Sequence, residues 1–344
     1  KFATQVENSQ AQLFNDRLGR GVELLPNEEM IMRSAGVRIL EDLGGNSSQQ
    51  ETALIINMLK DFLNDKGKVK EKQSKEPKIY QTVPFSMKRT SREERIDLEN
   101  CLNTILKLAE RLGEDNYYLA LKNLDLRKLQ IQSGEMSPIY LYADKCDFSE
   151  ANINLAAFGA IKMMGCNISE TDFVGEAQTK MEFWGCYGYM SKFDSVELTK
   201  FNFYPSNLCR ASFKGATLSR AIFLICNLDG VNFSGAIFEN IQFHKCTFLC
   251  ADFSGVDLAG TSGITQKEFS KIIYQKGHPP INRPEGLKLP KDGAYETSDG
   301  KRVFVASKNT QLRGRPVDEV IDELLKEQDD HYQKSLPPLN APSP

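Results

Sequence analysis

The residues best suited to chemistry in this chain are its cysteines. Cys146, Cys166, Cys186, Cys226 and Cys246 stand 20 residues apart, with Ser206 in the missing place. Thiols at one fixed spacing could hold a soft metal or exchange disulfides. The three histidines, His244, His278 and His331, are far apart in sequence, and none stands at metal-ligand spacing. Asp252 and Asp257 offer a carboxylate pair. No HExxH, CxxC, GxGxxG, P-loop or GxSxG pattern is present. What the thiols do depends on the element that spaces them, and that element is a repeat.

From Phe148 to Leu258, stepping by five gives 23 positions, and all but Gln178 and Gly188 are large and apolar. Two residues before each centre the side chain is usually small, as at Ala151, Ala156, Cys166, Ala211 and Ala251. A period of five fits neither a helix nor a strand. It fits a chain that turns a corner every five residues with the centre and its small partner inward. Sorting the centres by 20 gives four columns. The second holds Ile153, Phe173, Phe193, Phe213, Phe233 and Phe253, and the fourth Met163, Phe183, Phe203, Phe223 and Phe243. Twenty residues therefore make one four-sided coil, and like stacks on like at about 4.8 Å. Weaker repeats at Leu124–Leu126 and Leu129–Ile131 predict an earlier coil, with a loop or frame shift near Gly134 to Tyr142. Glu176, Gln178 and Gly188 at inward positions predict a distortion over 176–190.

This frame reads the cysteine column as packing. All five thiols take the small inward place on one side, where a buried cysteine acts as a compact hydrophobe. The Cα spacing falls within disulfide range, but parallel in-register side chains are badly aimed for a bond. Cys209 and Cys250 fall at outward positions, and Asp252 and Asp257 read as outward solubilising residues. Eight cysteines without small-domain spacing read as reduced thiols. No catalytic site, cofactor or metal is expected.

Ala151-Asn152-Ile153, Thr171-Asp172-Phe173, Ala211-Ser212-Phe213, Val231-Asn232-Phe233, Ala251-Asp252-Phe253 and Val256-Asp257-Leu258 resemble the A(D/N)Lxx pattern of the bacterial pentapeptide-repeat family. The resemblance covers about a third of the chain. It implies a mainly β fold with flanking helices: a right-handed quadrilateral β-helix over 121–260, capped by an N-terminal α-helical region. Arg33 to Glu41 and Glu51 to Leu63 resemble the helical region that precedes the repeats in relatives. Such relatives often carry a membrane anchor just upstream. The resemblance thus implies a cytoplasmic location in a bacterium, at the face of the inner membrane, for a chain that starts at Lys1 without Met.

The flanks position the coil. Phe14, Leu18, Val22 and Leu25, then Met32, Ile39 and Leu43, share helical faces. Ser48 with Glu51, and Ser91 with Glu94, form capping-box patterns before two further apolar faces. Four helices over 1–120 are expected to cover the open end of the solenoid. Lys66 to Arg95 interrupts them with ten basic and four acidic residues. Its simplest reading is a solvated linker. Its sharper one is contact of Lys66, Lys68, Lys70, Lys72, Lys88 and Arg89 with an anionic surface. After Leu258 a capping segment runs to Pro290, and the tail 291–344 predicts a hairpin from Ala294 to Ala306 and a helix from Val317 to Glu327.

Function is expected on an outward face. On the fourth side the residue after each centre reads Met164, Trp184, Tyr204, Leu224 and His244, with Ile222 and Ile225 beside Leu224. Exposed stripes of this kind mark contacts, and Trp and Tyr are frequent interface anchors. Two occupants are open: the chain's own helices or tail, or a protein partner, a second copy included. The expected function is a non-catalytic interaction scaffold. A second reading follows from the family's best understood members, which mimic duplex DNA and act on DNA gyrase. Mimicry needs dense acidity, and residues 143–260 hold 13 acidic against nine basic side chains. A third reading is a sensor or regulator in a bacterial defence or stress system. The near-neutral balance, −3 over the chain, disfavours nucleic acid as a partner. Membrane contact is left to an upstream anchor or the basic linker.

Overall fold

The structure is a computed structural model that describes residues 2–68, 96–112, 117–132, 139–177, 180–298, 301–305 and 312–335. Four helices come first: α1 (Phe2–Leu24), α2 (Met30–Gly45), α3 (Gln49–Lys66) and α4 (Ile96–Leu112). Ser48 opens α3 with both halves of a capping box. Its N–H donates to Glu51 Oε2 at 2.9 Å, and its Oγ accepts from Glu51 N–H at 3.4 Å. Val37, Leu40, Ile55, Leu59, Leu102 and Ile105 are buried between α2, α3 and α4. The Arg33–Asp97 ion pair at 2.6 Å ties α2 to α4. Val22 and Met32, read as core-facing, are exposed. The Ser91–Glu94 pattern lies outside the described residues.

The chain then winds into a parallel solenoid. Its fourth side is a continuous sheet of seven parallel strands: Tyr117–Lys122, Ile139–Asp144, Ala160–Met164, Met181–Trp184, Phe201–Phe203, Ile222–Leu224 and Gln242–His244. Corners recur because the backbone enters the left-handed region at fifth residues such as Lys145, Glu150, Ser195, Lys200 and Arg220, with φ from 53 to 60°. One left-handed residue between short extended runs turns the chain by about a side. The interior is a stack of phenylalanines. Phe173, Phe193 and Phe213 lie nearly parallel, with centroids 4.4 and 4.8 Å apart, and Phe183, Phe203, Phe223 and Phe243 form the facing stack.

The cysteine column is part of that interior. The Sγ atoms of Cys166, Cys226 and Cys246 donate to Ala143 O, Phe203 O and Phe223 O of the preceding coil at 3.5, 3.5 and 3.3 Å. Burial pushes the Cys186 thiol up to about 12. Among the described residues no three His, Cys, Asp or Glu are placed to hold a metal ion.

One coil departs from 20 residues, and one side of another slips in register. The first is longer, since Tyr118 pairs with Tyr140 whereas Tyr140 pairs with Ala160. On the third side of the disturbed coil, Ala177 stands opposite Leu198 and Glu176 opposite Glu197. The pairing there is offset by 21 residues instead of 20. Gly188 keeps its frame position, because a Cβ there would meet Leu208 Cδ2 at 2.8 Å.

Both ends are covered. At the first coil Gln130 N–H donates to Glu99 Oε2 and Asn103 Nδ2 to Gln130 O, at 2.9 and 2.8 Å, so α4 satisfies an open strand edge. Gly67 O accepts from Asp125 N–H at 2.8 Å, and Lys68 bridges Leu124. At the far end Phe269, on helix α5 (Gln266–Phe269), and Ile272 are buried over the last coil. Strand Ala294–Ser298 pairs with Tyr274–Gln275 and with Lys301–Phe304, and helix α6 (Val317–Ser335) closes this C-terminal unit.

The C-terminal unit corrects two sequence readings. Asp252 is buried, not solubilising: its carboxylate accepts from Tyr295 OH at 2.6 Å, Ser254 Oγ at 2.5 Å and Arg302 Nη1 at 3.1 Å. Cys250 is buried in a second core with Ile273, Phe304, Val317, Val320 and Ile321. Cys209 is buried as well, beside Arg210, whose guanidinium pairs with Asp322 of α6. These positions point out of the coil but into the tail. Asp257 stays at the outside, where it accepts from Ala259 N–H at 2.8 Å and Asn282 Nδ2 at 2.9 Å.

Candidate interaction face on the fourth side

The tail packs on the corner between the first and second sides, where Ile321 lies over Gly230. The aromatic ladder lies on the fourth side, next to its corner with the following first side at Gly185 and Ile225. No described segment covers the Trp184–Tyr204 ladder, so of the two occupants left open by the sequence the tail is excluded as far as its described residues reach.

Register alone builds the stripe. Asp144, Met164 and Trp184 are neighbours on successive strands, and Leu224 stands opposite His244. Tyr204 N–H donates to Phe183 O at 2.8 Å, which sets Tyr204 beside Trp184. Their rings stack at 3.8 Å with planes 21° apart. Lys162 Nζ lies 6.0 Å from the centre of the Trp184 ring. Trp184 is 38% exposed and Ile225 41%. Met164, Tyr204, Ile222 and Leu224 are half-buried, and His244 is exposed. His244 Nε2 faces Gln242 Oε1 at 3.2 Å. The seven residues singled out in the sequence therefore share one surface. At its C-terminal end a groove of about 450 Å³ opens between Leu224, Ile225, His244, Lys245 and Glu268.

Sequence reasoning missed the first part of this surface. Tyr118 and Tyr140 stack at 5.2 Å, and Tyr142 OH approaches Met164 Sδ at 3.3 Å. The longer first coil hid them from a strict count of 20. The Tyr-x-Tyr alternation at 140–142 was the available signal.

Ile225 is strained. It sits at φ 56°, where its counterparts one and two coils earlier are Pro205 and Gly185. A β-branched residue in that region costs about 1–2 kcal/mol. Replacing Ile225 by Asn, which tolerates this conformation, should raise stability by about 0.5–1 kcal/mol in chemical denaturation. An unchanged or lower midpoint would mean that the Ile225 side chain supports the fold.

The electrostatics are simple. Lys180 donates to Glu182 at 2.6 Å and holds its carboxyl below the ordinary range, with Lys162 adding at 4.0 Å. Of the linker cations, Lys66 Nζ donates to Pro26 O at 3.4 Å and Lys68 Nζ lies 3.7 Å from Asp65. Both belong to the joint between helices and coil. Lys70, Lys72, Lys88 and Arg89 lie outside the described residues. No described helix is long and apolar enough to cross a membrane.

Comparison with known proteins agrees with the geometry. Residues 226–262 match the family model described as pentapeptide repeats (8 copies). A search of the curated proteins finds no match. Among solved structures, a trypsin-treated variant of QnrB1, a plasmid-mediated fluoroquinolone resistance protein, is 16% identical, with 61% of this chain and 97% of that one covered and a TM-score of 0.27. HetL, a pentapeptide repeat protein involved in heterocyst differentiation regulation from the cyanobacterium Nostoc sp. strain PCC 7120, is 16% identical, with 54% and 88% covered and a TM-score of 0.24. Rfr23, a pentapeptide repeat protein from the cyanobacterium Cyanothece 51142, is 13% identical, with 43% and 91% covered and a TM-score of 0.20. With a corner every five residues, four inward columns and a family-model match over residues 226–262, the solenoid of this chain has the pentapeptide-repeat β-helix fold, with a helical region ahead of it.

Proposed function

We propose that this chain is a non-catalytic protein–protein interaction scaffold whose fourth side holds a protein partner. The observation that carries the reading is the Trp184–Tyr204 stack within a ladder of Met164, Leu224 and Ile225, set on a rigid sheet and uncovered by the described chain. Aromatic anchors on a preorganised surface lose little freedom on binding. A strained Ile225 at an outward corner does nothing for the core, which favours a role for that corner outside the fold. The DNA-mimic reading gains less support, because Asp147, Asp229 and Asp252 are buried and add no outward acidity.

The test is the variant Trp184→Ala, Tyr204→Ala, Leu224→Ala. It should keep its circular dichroism and lose about 1–2 kcal/mol at most, as expected for exposed cross-strand pairs. Any assembly that light scattering finds in the wild type should dissolve. A loss well beyond that range would make the stripe part of the fold. An assembly that persists in the folded variant would place the contact elsewhere.

A further inference from the structure

The solenoid is electrically divided across its section. Of the nine cations between residues 143 and 260, six belong to the fourth side and its two corners: Lys145, Lys162, Lys180, Lys200, Arg220 and Lys245. Only Asp144 and Glu182 of the 13 carboxylates in the same span lie there. Both are already paired, Asp144 with Lys122 at 3.6 Å and Glu182 with Lys180. Lys145, Lys200, Arg220 and Lys245 are exposed and form no ion pair among the described residues. Lys180, Lys200 and Arg220 follow one another along the corner between the third and fourth sides, across the width of the face from the aromatic ladder, at about 4.8 Å per coil.

We infer that the fourth side docks an acidic amphipathic helix of a partner protein. This rests on the interaction-face reading and names the partner's chemistry. Charge complementarity sets the sign: an acidic flank would meet the free Lys200 and Arg220. The ladder sets the shape. Its rungs repeat every ~4.8 Å, near the ~5.4 Å rise of a helical turn and far from the ~6.7 Å between same-face residues of a strand. Over the four steps from Met164 to His244 the mismatch grows to only about 2.4 Å, so three to four helical turns stay in phase.

Nucleic acid is the weaker match. Base recognition needs exposed ring faces, and Trp184 and Tyr204 spend a face on each other, while Lys162 lies over Trp184. The apolar residues Met164, Leu224 and Ile225 gain nothing from phosphate. The protein already uses the proposed chemistry once: α6 lies on the opposite corner with Val320 and Ile321 buried and Asp322 on Arg210.

Trp184 is the single tryptophan of the chain, so it reports on the site directly. The probe is a synthetic helix of about 15 residues with Leu at one face and Glu elsewhere, long enough for four turns. Beside it run its Lys-for-Glu counterpart, an oligothymidylate and phosphatidylserine vesicles. The acidic helix should shift Trp184 emission to the blue, saturably and less at high salt. Lys200→Glu with Arg220→Glu should weaken it about 10-fold or more, with circular dichroism unchanged. The proposal is overturned by equal binding of the basic helix, by no saturable shift with the acidic one, or by an unaffected charge-reversed variant. Saturation by the oligonucleotide or vesicles alone would replace the helix with that polyanion. If the acidic helix fails while the alanine variant still dissolves an assembly, the face stands and only the partner's chemistry is wrong.

Discussion

Replacing Phe193 by Ala should remove about 4 kcal/mol of stability and uncouple the two halves of the solenoid. Phe193 is fully buried and stacks between Phe173 and Phe213, with edge contacts to Phe183 and Phe203. Deleting a buried phenyl ring costs about 3–5 kcal/mol through lost burial and the cavity left behind. That is a large part of the roughly 5–15 kcal/mol that holds a domain together. Each coil touches only its neighbours, so a cavity in mid-stack also weakens the coupling between the two halves. The melting temperature should drop by about 10 °C or more, and Trp184 fluorescence should no longer report the same transition as circular dichroism. Phe253→Ala is the control. That ring closes the column, touching Phe233 alone within it in a tilted contact, and its loss should be smaller. Equal effects at both positions would mean that the stack is not the main source of coupling.

Arg302→Ala should release the C-terminal unit while leaving the solenoid folded. The Arg302 guanidinium joins Asp252 on the coil to Asp318 on α6. Without it the buried Asp252 carboxylate keeps only its bonds from Tyr295 and Ser254. Breaking a buried pair from one side costs about 3 kcal/mol at the low end, which suits an arginine whose side chain is a quarter exposed. That corresponds to about a 100-fold rise in the open population. Cys250 lies in the interface and should be labelled by a thiol reagent faster by a similar factor, whereas Cys166 and Cys186 inside the coil should not. The same joint has an alkaline limit. Burial and Asp252 push the Tyr295 phenol up to about 12. Its pKa is higher folded than unfolded, so its contribution is complete below pH 10 and fades as pH rises toward 12. Cys250 labelling that is insensitive to Arg302→Ala would show that Val317, Val320 and Ile321 hold the unit unaided.

The coil was legible in the sequence because two periods, five and 20, constrain the same residues. The Phe193 column, the thiol column and the outward ladder all followed from them. What escaped came from outside the period. Asp252 looked like any other polar residue of the repeat, because Tyr295 and Arg302, which bury it, lie 43 and 50 residues further on. Cys250 was outward by frame and inward by tertiary contact for the same reason. The pairing of Glu176 and Ala177 with Glu197 and Leu198 slips by one residue, which a rigid count cannot register. Tyr118 and Tyr140 were lost to the longer first coil. The cation column needed no structure in principle, since Lys180, Lys200 and Arg220 are spaced by 20. Only the placement of Ala177 and Lys180 on adjoining sides made the corner plain.

The left-handed corner at every fifth residue makes the protein's length a discrete variable. Excising any 20 consecutive residues between Lys180 and Phe243 would rejoin a corner to a like corner and a column to its own column. The outward ladder would shorten by one rung and keep its chemistry. Insertion of a copied coil would lengthen it in the same way. Affinity for an elongated partner could thus be raised or lowered by duplication and deletion alone, in steps, with no new side chain invented. Few folds separate the reach of a surface from its composition so cleanly.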